Sequence, residues 1–126
     1  MRPLEWVGSS LDDLRRFPEA VRQEAGYGIY LAQHGSKSPR AVPLAGFGSA
    51  KVLEIIMDFD GNTFRAVYTV KFAKAVYVLH AFQKKSRRGI ATPKPDLDLV
   101  NRRLVAAEKH YRATYETVIS KGKGSP

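Results

Sequence analysis

Arg65, His80, Lys84 and Lys85 are the side chains whose types and spacing suit a reaction. Arg65 lies within one apolar, alternating segment; His80 and Lys84 share parity on the next, with Lys85 beside them. Such cations suit phosphodiester cleavage without a metal. RNA carries its own nucleophile, the 2′-hydroxyl. A protein need only align it, take its proton, stabilise the charge on a pentacoordinate phosphorus and protonate the leaving 5′-oxygen. The planar arginine fork bonds two phosphate oxygens, and histidine exchanges a proton near neutral pH. Each residue also has a plain structural reading. A strand arginine is often salt-bridged, and a lone strand histidine is often hydrogen-bonded in place. Lys84-Lys85-Ser86-Arg87-Arg88 holds four cations in five residues, which serves either a solvated loop or an RNA contact.

Other chemistries fare worse. With no cysteine, a disulfide framework, a thiolate zinc site and a cysteine nucleophile are excluded. His34, His80 and His110 are scattered, without the spacing or carboxylate companion of a metal helix, so no metal and no cofactor is expected. Gly46-Phe47-Gly48 lacks the Lys-Ser/Thr of a phosphate loop and reads as a turn. There is no nucleophile elbow, and most acids fall on exposed helix faces rather than as a glycosidase pair.

Charge points the same way. Lys and Arg number 21 against 12 acids, a net of +9 over 126 residues. Residues 1–70 hold eight of each sign, whereas residues 71–126 hold thirteen basic and four acidic side chains. A field so concentrated favours a polyanion, because neutralising phosphates releases counterions; the plain alternative is a basic tail. Lys71, Lys74, Arg87, Arg88 and Lys94 are the candidate RNA-phosphate contacts. No apolar run approaches the ~20 residues of a membrane span, so a cytoplasmic protein with no membrane contact is expected.

The elements that must position these residues follow from pattern. Residues 2–7 read as a short extended segment suited to a sheet edge. Ser9, Ser10, Asp12 and Asp13 form overlapping helix-start signals before Leu14, and that helix stops ahead of Pro18. A second helix carries the stripe Val21, Ala25, Ile29 and Ala32 and ends near Gly35. Ser36–Gly48 reads as a connecting loop. Val52–Phe59 is a strand, Asp60-Gly61 a hairpin turn, and Thr63–Phe72 the return, with Phe64, Ala66, Tyr68 and Val70 on one face and Arg65 on the other, polar one. Ala75–Phe82 reads as a strand covered on both faces. Asp96 caps a last helix with the stripe Leu97, Val100, Leu104, Ala107, Tyr111 and Tyr115; Arg102, Arg103, Lys109 and Arg112 fall on its other face. The sum is an α+β domain over residues 1–120, helices on one face of a roughly four-stranded antiparallel sheet, with 121–126 a flexible tail.

Phe64-Arg65-Ala66-Val67-Tyr68 resembles the Tyr-Arg-Val-x-Tyr strand of the RelE/ParE toxin superfamily. Val76-Tyr77-Val78-Leu79-His80-Ala81-Phe82-Gln83-Lys84-Lys85-Ser86 is similar to its phage-derived, HigB-like branch. Pro43-Leu44-x-Gly46-x-Gly48, Val52-Leu53-Glu54, Trp6, Ser10-x-Asp12-x-Leu14 and Pro18 match in order over residues 4–112. The resemblance implies a RelE-like fold and a type II toxin that cleaves messenger RNA in the ribosomal A site, causing translation inhibition and growth arrest. It implies a cognate antitoxin, often with a helix-turn-helix domain, and operator DNA contact only through that antitoxin. Arg65 matches the arginine credited with the scissile phosphate, and Lys84 and Lys85 the basic pair after the last strand. Departures stand at Glu54 and Ile56, where RelE has two lysines. Gly89-Ile90-Ala91-Thr92 replace a tyrosine, and Val42 replaces a lysine. The RelE proton-transfer set therefore does not carry over, and His80 becomes the candidate base.

The expected function is a ribosome-dependent endoribonuclease in which Arg65, His80, Lys84 and Lys85 face the messenger. Its rivals are a gyrase-poisoning ParE-like toxin, a non-catalytic RNA- or ribosome-binding module, and an inactive phage remnant. Arg65→Ala is expected to abolish growth inhibition while sparing the fold.

Overall fold

Asp60 and Gly61 both hold positive φ, 52° and 76°, as the tight hairpin turn between two twisted strands demands. They join β3 (Val52–Phe59) to β4 (Asn62–Thr69) and set the register from Phe59↔Asn62 through Val52↔Thr69. The computed structural model describes residues 1–84 and 91–116. Lys85, Arg87, Arg88 and the 121–126 tail lie outside them.

Three further strands complete the sheet: β1 (Leu4–Trp6), β2 (Ala41–Pro43) and β5 (Val76–Lys84). The order is β1-β5-β4-β3-β2, antiparallel except for the parallel β1–β5 pair. The sheet thus has five strands rather than four. The extra one, β2, lies inside the Gly/Pro/Ser-rich stretch read as a loop; it is three residues long and pairs on one side only, so composition hides it.

The helices are α1 (Ser10–Arg15), α2 (Glu19–Gln33) and α3 (Lys94–Tyr111), the last continued by one π-type turn, Arg112–Glu116. They do not share a face. Val21, Ala25, Ile29 and Ala32 of α2 join Leu14, Ile55, Met57, Ala66, Tyr68, Val76 and Val78 in one core. Val100, Leu104, Ala107 and Tyr111 of α3 join Val52, Val67, Tyr77 and Leu79 in a second. The expectation of helices on one face is corrected: β4 and β5 carry apolar residues at both parities, and each face needs its own cover.

One irregularity in β5 decides what reaches the α3 side. Val67 pairs with His80 but Tyr68 pairs with Val78, so Leu79 is a surplus residue, a β-bulge. Val76 and Val78 point to the α2 side, as strict alternation requires. Beyond the bulge the phase reverses, and His80, Phe82 and Lys84 come to the face of Val67 and Arg65. The carbonyl of Leu79 accepts a hydrogen bond from Arg103 Nη1 at 2.9 Å, and Arg103 Nη2 donates to Ser9 Oγ at 3.0 Å. Arg103 therefore clasps the bulge, although the helix pattern places it on a polar face.

Tyr68 supplies a test of the α2-side core. Its hydroxyl is buried and has no hydrogen-bond partner among the described residues. Burial pushes its pKa from 10.0 up to about 12. The folded state keeps the phenol proton longer than the unfolded chain, so this contribution is full below pH 10.0 and is lost as pH rises through about 12. Tyr68→Phe is expected to raise unfolding free energy by about 1 kcal/mol and to flatten the alkaline decline. Urea unfolding on both sides of pH 10 checks both; an unchanged slope excludes Tyr68 as its source.

Candidate active site

The α3-facing surface of β3, β4 and β5, at the end nearest Lys84, gathers the polar groups. Glu54 pairs with Val67 in register and Arg65 with Ile56, a diagonal that lets two long side chains meet. Arg65 Nη1 donates to Glu54 Oε1 at 2.8 Å and to Thr92 Oγ1 at 3.2 Å. Thr92 in turn donates to Glu54 Oε2 at 2.8 Å, closing the triangle. The pair is sealed, with side-chain exposures of 2% and 3%. The face that sequence alternation assigns as polar is therefore buried. The expectation that Arg65→Ala spares the fold is corrected for the same reason: it would strand the Glu54 carboxylate away from water.

On the neighbouring strand, His80 Nε2 lies 2.8 Å from Asp96 Oδ1. Asp96 sits in the first turn of α3, but the N-cap is Pro93 and makes no side-chain cap. Asp96 is thus a partner for His80 rather than the helix cap. The imidazole stacks on Phe82, centroids 4.6 Å apart and planes within 19°, and Phe82 pairs with Arg65 across the strands. Lys84, paired with Thr63, is buried on the same face.

The structure therefore brings together Arg65, His80 and Lys84. Lys94 stands at the start of α3, where its ammonium meets Asp98 at 3.3 Å. Lys71 and Lys74 do not join them. They follow the far end of β4, which lies four strand steps or about 13 Å beyond Arg65, and Lys71 is paired with Glu108. That contact holds the Glu108 carboxyl below the usual carboxylate range. Lys85, Arg87 and Arg88 lie outside the described residues.

Glu54, Thr92 and Asp96 are site residues that sequence reasoning missed. Glu54 and Thr92 stood only as departures from a family pattern, and Asp96 as a cap. Glu54 had one legible signal: an acid at the same strand parity as Val52, in a strand otherwise apolar until Asp58. A cleft of about 490 Å³ lined by Lys37, Leu44, Lys51, Tyr68 and Val70 lies at the opposite end of the sheet, away from this chemistry. Among the described residues, no helix is long and apolar enough to cross a membrane.

A five-stranded sheet of this order, with two helices on one face and a third on the other, defines a RelE-fold protein. The free-state structure of a mutant of the E. coli toxin RelE carrying two arginine-to-alanine substitutions superposes with a TM-score of 0.52, at 19% identity over 84% of this chain and 96% of that one. Residues 12–105 match the family described as Phage derived protein Gp49-like (DUF891). The chain belongs to that Gp49-like family, a branch of the RelE toxin superfamily. No curated protein matches it in sequence.

Proposed function

We propose that this RelE-type toxin is a metal-independent endoribonuclease that cuts messenger RNA in the ribosome. The observation that carries this reading is the convergence of Arg65, His80 and Lys84 on one sheet face by way of the bulge at Leu79. The scissile phosphate exchanges with the Glu54 carboxylate on the Arg65 fork. His80 takes the proton of the 2′-hydroxyl, whose oxygen bonds to phosphorus as the bond to the 5′-oxygen breaks. A 2′,3′-cyclic phosphate remains, and the leaving oxygen takes its proton from the Lys84–Lys85 pair. The basic run with Arg87 and Arg88, and Lys94 at the start of α3, contribute affinity through phosphates rather than sequence choice. Lys71 and Lys74 touch ribosomal RNA at a second point. The superfamily implies a cognate antitoxin, and a helix-turn-helix domain would give that partner, not this chain, the operator contact. Action on messenger places the protein in the cytoplasm.

A second reading has one observation in its favour. Arg65, 1% exposed and neutralised by Glu54, is also what a purely structural ion pair looks like. A gyrase-poisoning or ribosome-blocking toxin would need nothing more from it. Primer extension on messengers from cells briefly inducing the chain separates the two. Discrete cuts within translated regions are expected. Growth arrest with intact messenger would overturn the nuclease and favour the second reading.

A further inference from the structure

We infer that Asp96 is a positioning residue that fixes the proton of His80 on Nε2, so that His80 works through Nδ1. The inference rests on the nuclease reading and adds which atom takes the proton and what prepares it.

The geometry is one-directional. An ionised carboxylate only accepts hydrogen bonds, so the 2.8 Å contact to Asp96 Oδ1 requires the hydrogen on Nε2. A neutral imidazole then carries its lone pair on Nδ1. That atom is buried and has no hydrogen-bond partner among the described residues. A buried acceptor left unpaired is unfavourable, and a catalytic role is one reason for such a group to persist. Stacking on Phe82 holds the ring plane, and the turn Pro93–Asp96, closed by Asp96 N–H on the Pro93 carbonyl at 3.0 Å, holds the carboxylate.

The other two histidines show what a structural role looks like here. His110 has both nitrogens engaged, Nδ1 with the Tyr77 hydroxyl at 2.7 Å and Nε2 with Thr114 Oγ1 at 3.4 Å. His34 ends α2 with its ring against Tyr30, 4.4 Å between centroids. Neither pairs with a carboxylate among the described residues. Only His80 combines a carboxylate on one nitrogen with an unengaged second nitrogen there, the arrangement by which an acid selects the tautomer of a general base.

The test joins a spectroscopic readout to kinetics. In the full ¹⁵N-labelled chain, long-range imidazole correlations are expected to show His80 with a protonated Nε2 and an unprotonated Nδ1. Asp96→Asn, nearly isosteric, is expected to keep the backbone spectrum, lose that preference, and lower the turnover of ribosome-bound messenger by about 10²–10⁴-fold with little change in KM. Asp96→Glu is expected to restore part of the rate. A proton on Nδ1 in the wild type, or unchanged turnover in Asp96→Asn, would overturn the inference while leaving the nuclease standing. A wild-type chain that cuts nothing overturns the nuclease reading and this inference with it.

Discussion

Glu54→Ala is expected to lower the unfolding free energy by about 3–5 kcal/mol, the largest single-residue effect outside the apolar cores. Arg65 and Glu54 have side-chain exposures of 2% and 3%, so water cannot replace the missing carboxylate. Thr92 loses its acceptor in the same stroke. Urea titration with linear extrapolation measures the loss. The surface pair Arg15–Asp12, with exposures of 68% and 72%, is the internal control: breaking it should move the midpoint hardly at all. A loss below about 1 kcal/mol at Glu54 would mean that the guanidinium finds other acceptors, and that the buried pair is not what holds this end of the sheet.

The double variant Glu54→Leu/Arg65→Met is expected to do the opposite to stability and worse to function. Replacing both members of a buried ion pair by apolar groups of similar size is often neutral or stabilising, so the chain should fold at least as well as the wild type. RNA cleavage should nevertheless fall by at least about 10²–10³-fold, because no fork remains to carry the phosphorane charge. This variant separates the two roles that Arg65→Ala confuses. Full toxicity in a well-folded double variant would remove Arg65 from the mechanism and restore the structural reading of the pair.

Local signals carried most of the scaffold. Asp60-Gly61 announced its hairpin because two positive-φ residues between alternating segments have few other uses. The α2 stripe announced itself because Val21, Ala25, Ile29 and Ala32 repeat at the helical period, and all four are buried. The site was legible in part: Arg65, His80 and Lys84 do share one face. Their partners were not. Glu54 lies eleven residues from Arg65 and Thr92 twenty-seven, and only the sheet register and the start of α3 bring them together. Parity counting also gave His80 and Lys84 their common face without saying which face. That answer depends on the bulge, which no residue type in Val76–Lys84 betrays.

The surplus residue in β5 makes the proposed chemistry a matter of strand register. A regular ladder through Leu79, with that residue paired to Val67 instead of bulging, would leave Arg65, His80, Lys84 and their partners in the sequence, and a search by motif would still score them. The second half of the strand would invert. His80 and Lys84 would be driven into the apolar layer under α1 and α2, while Ala81 and Gln83 took their places opposite Arg65. In relatives of this chain a histidine at this point of the motif therefore does not by itself say which face it reaches; the register on either side of it does.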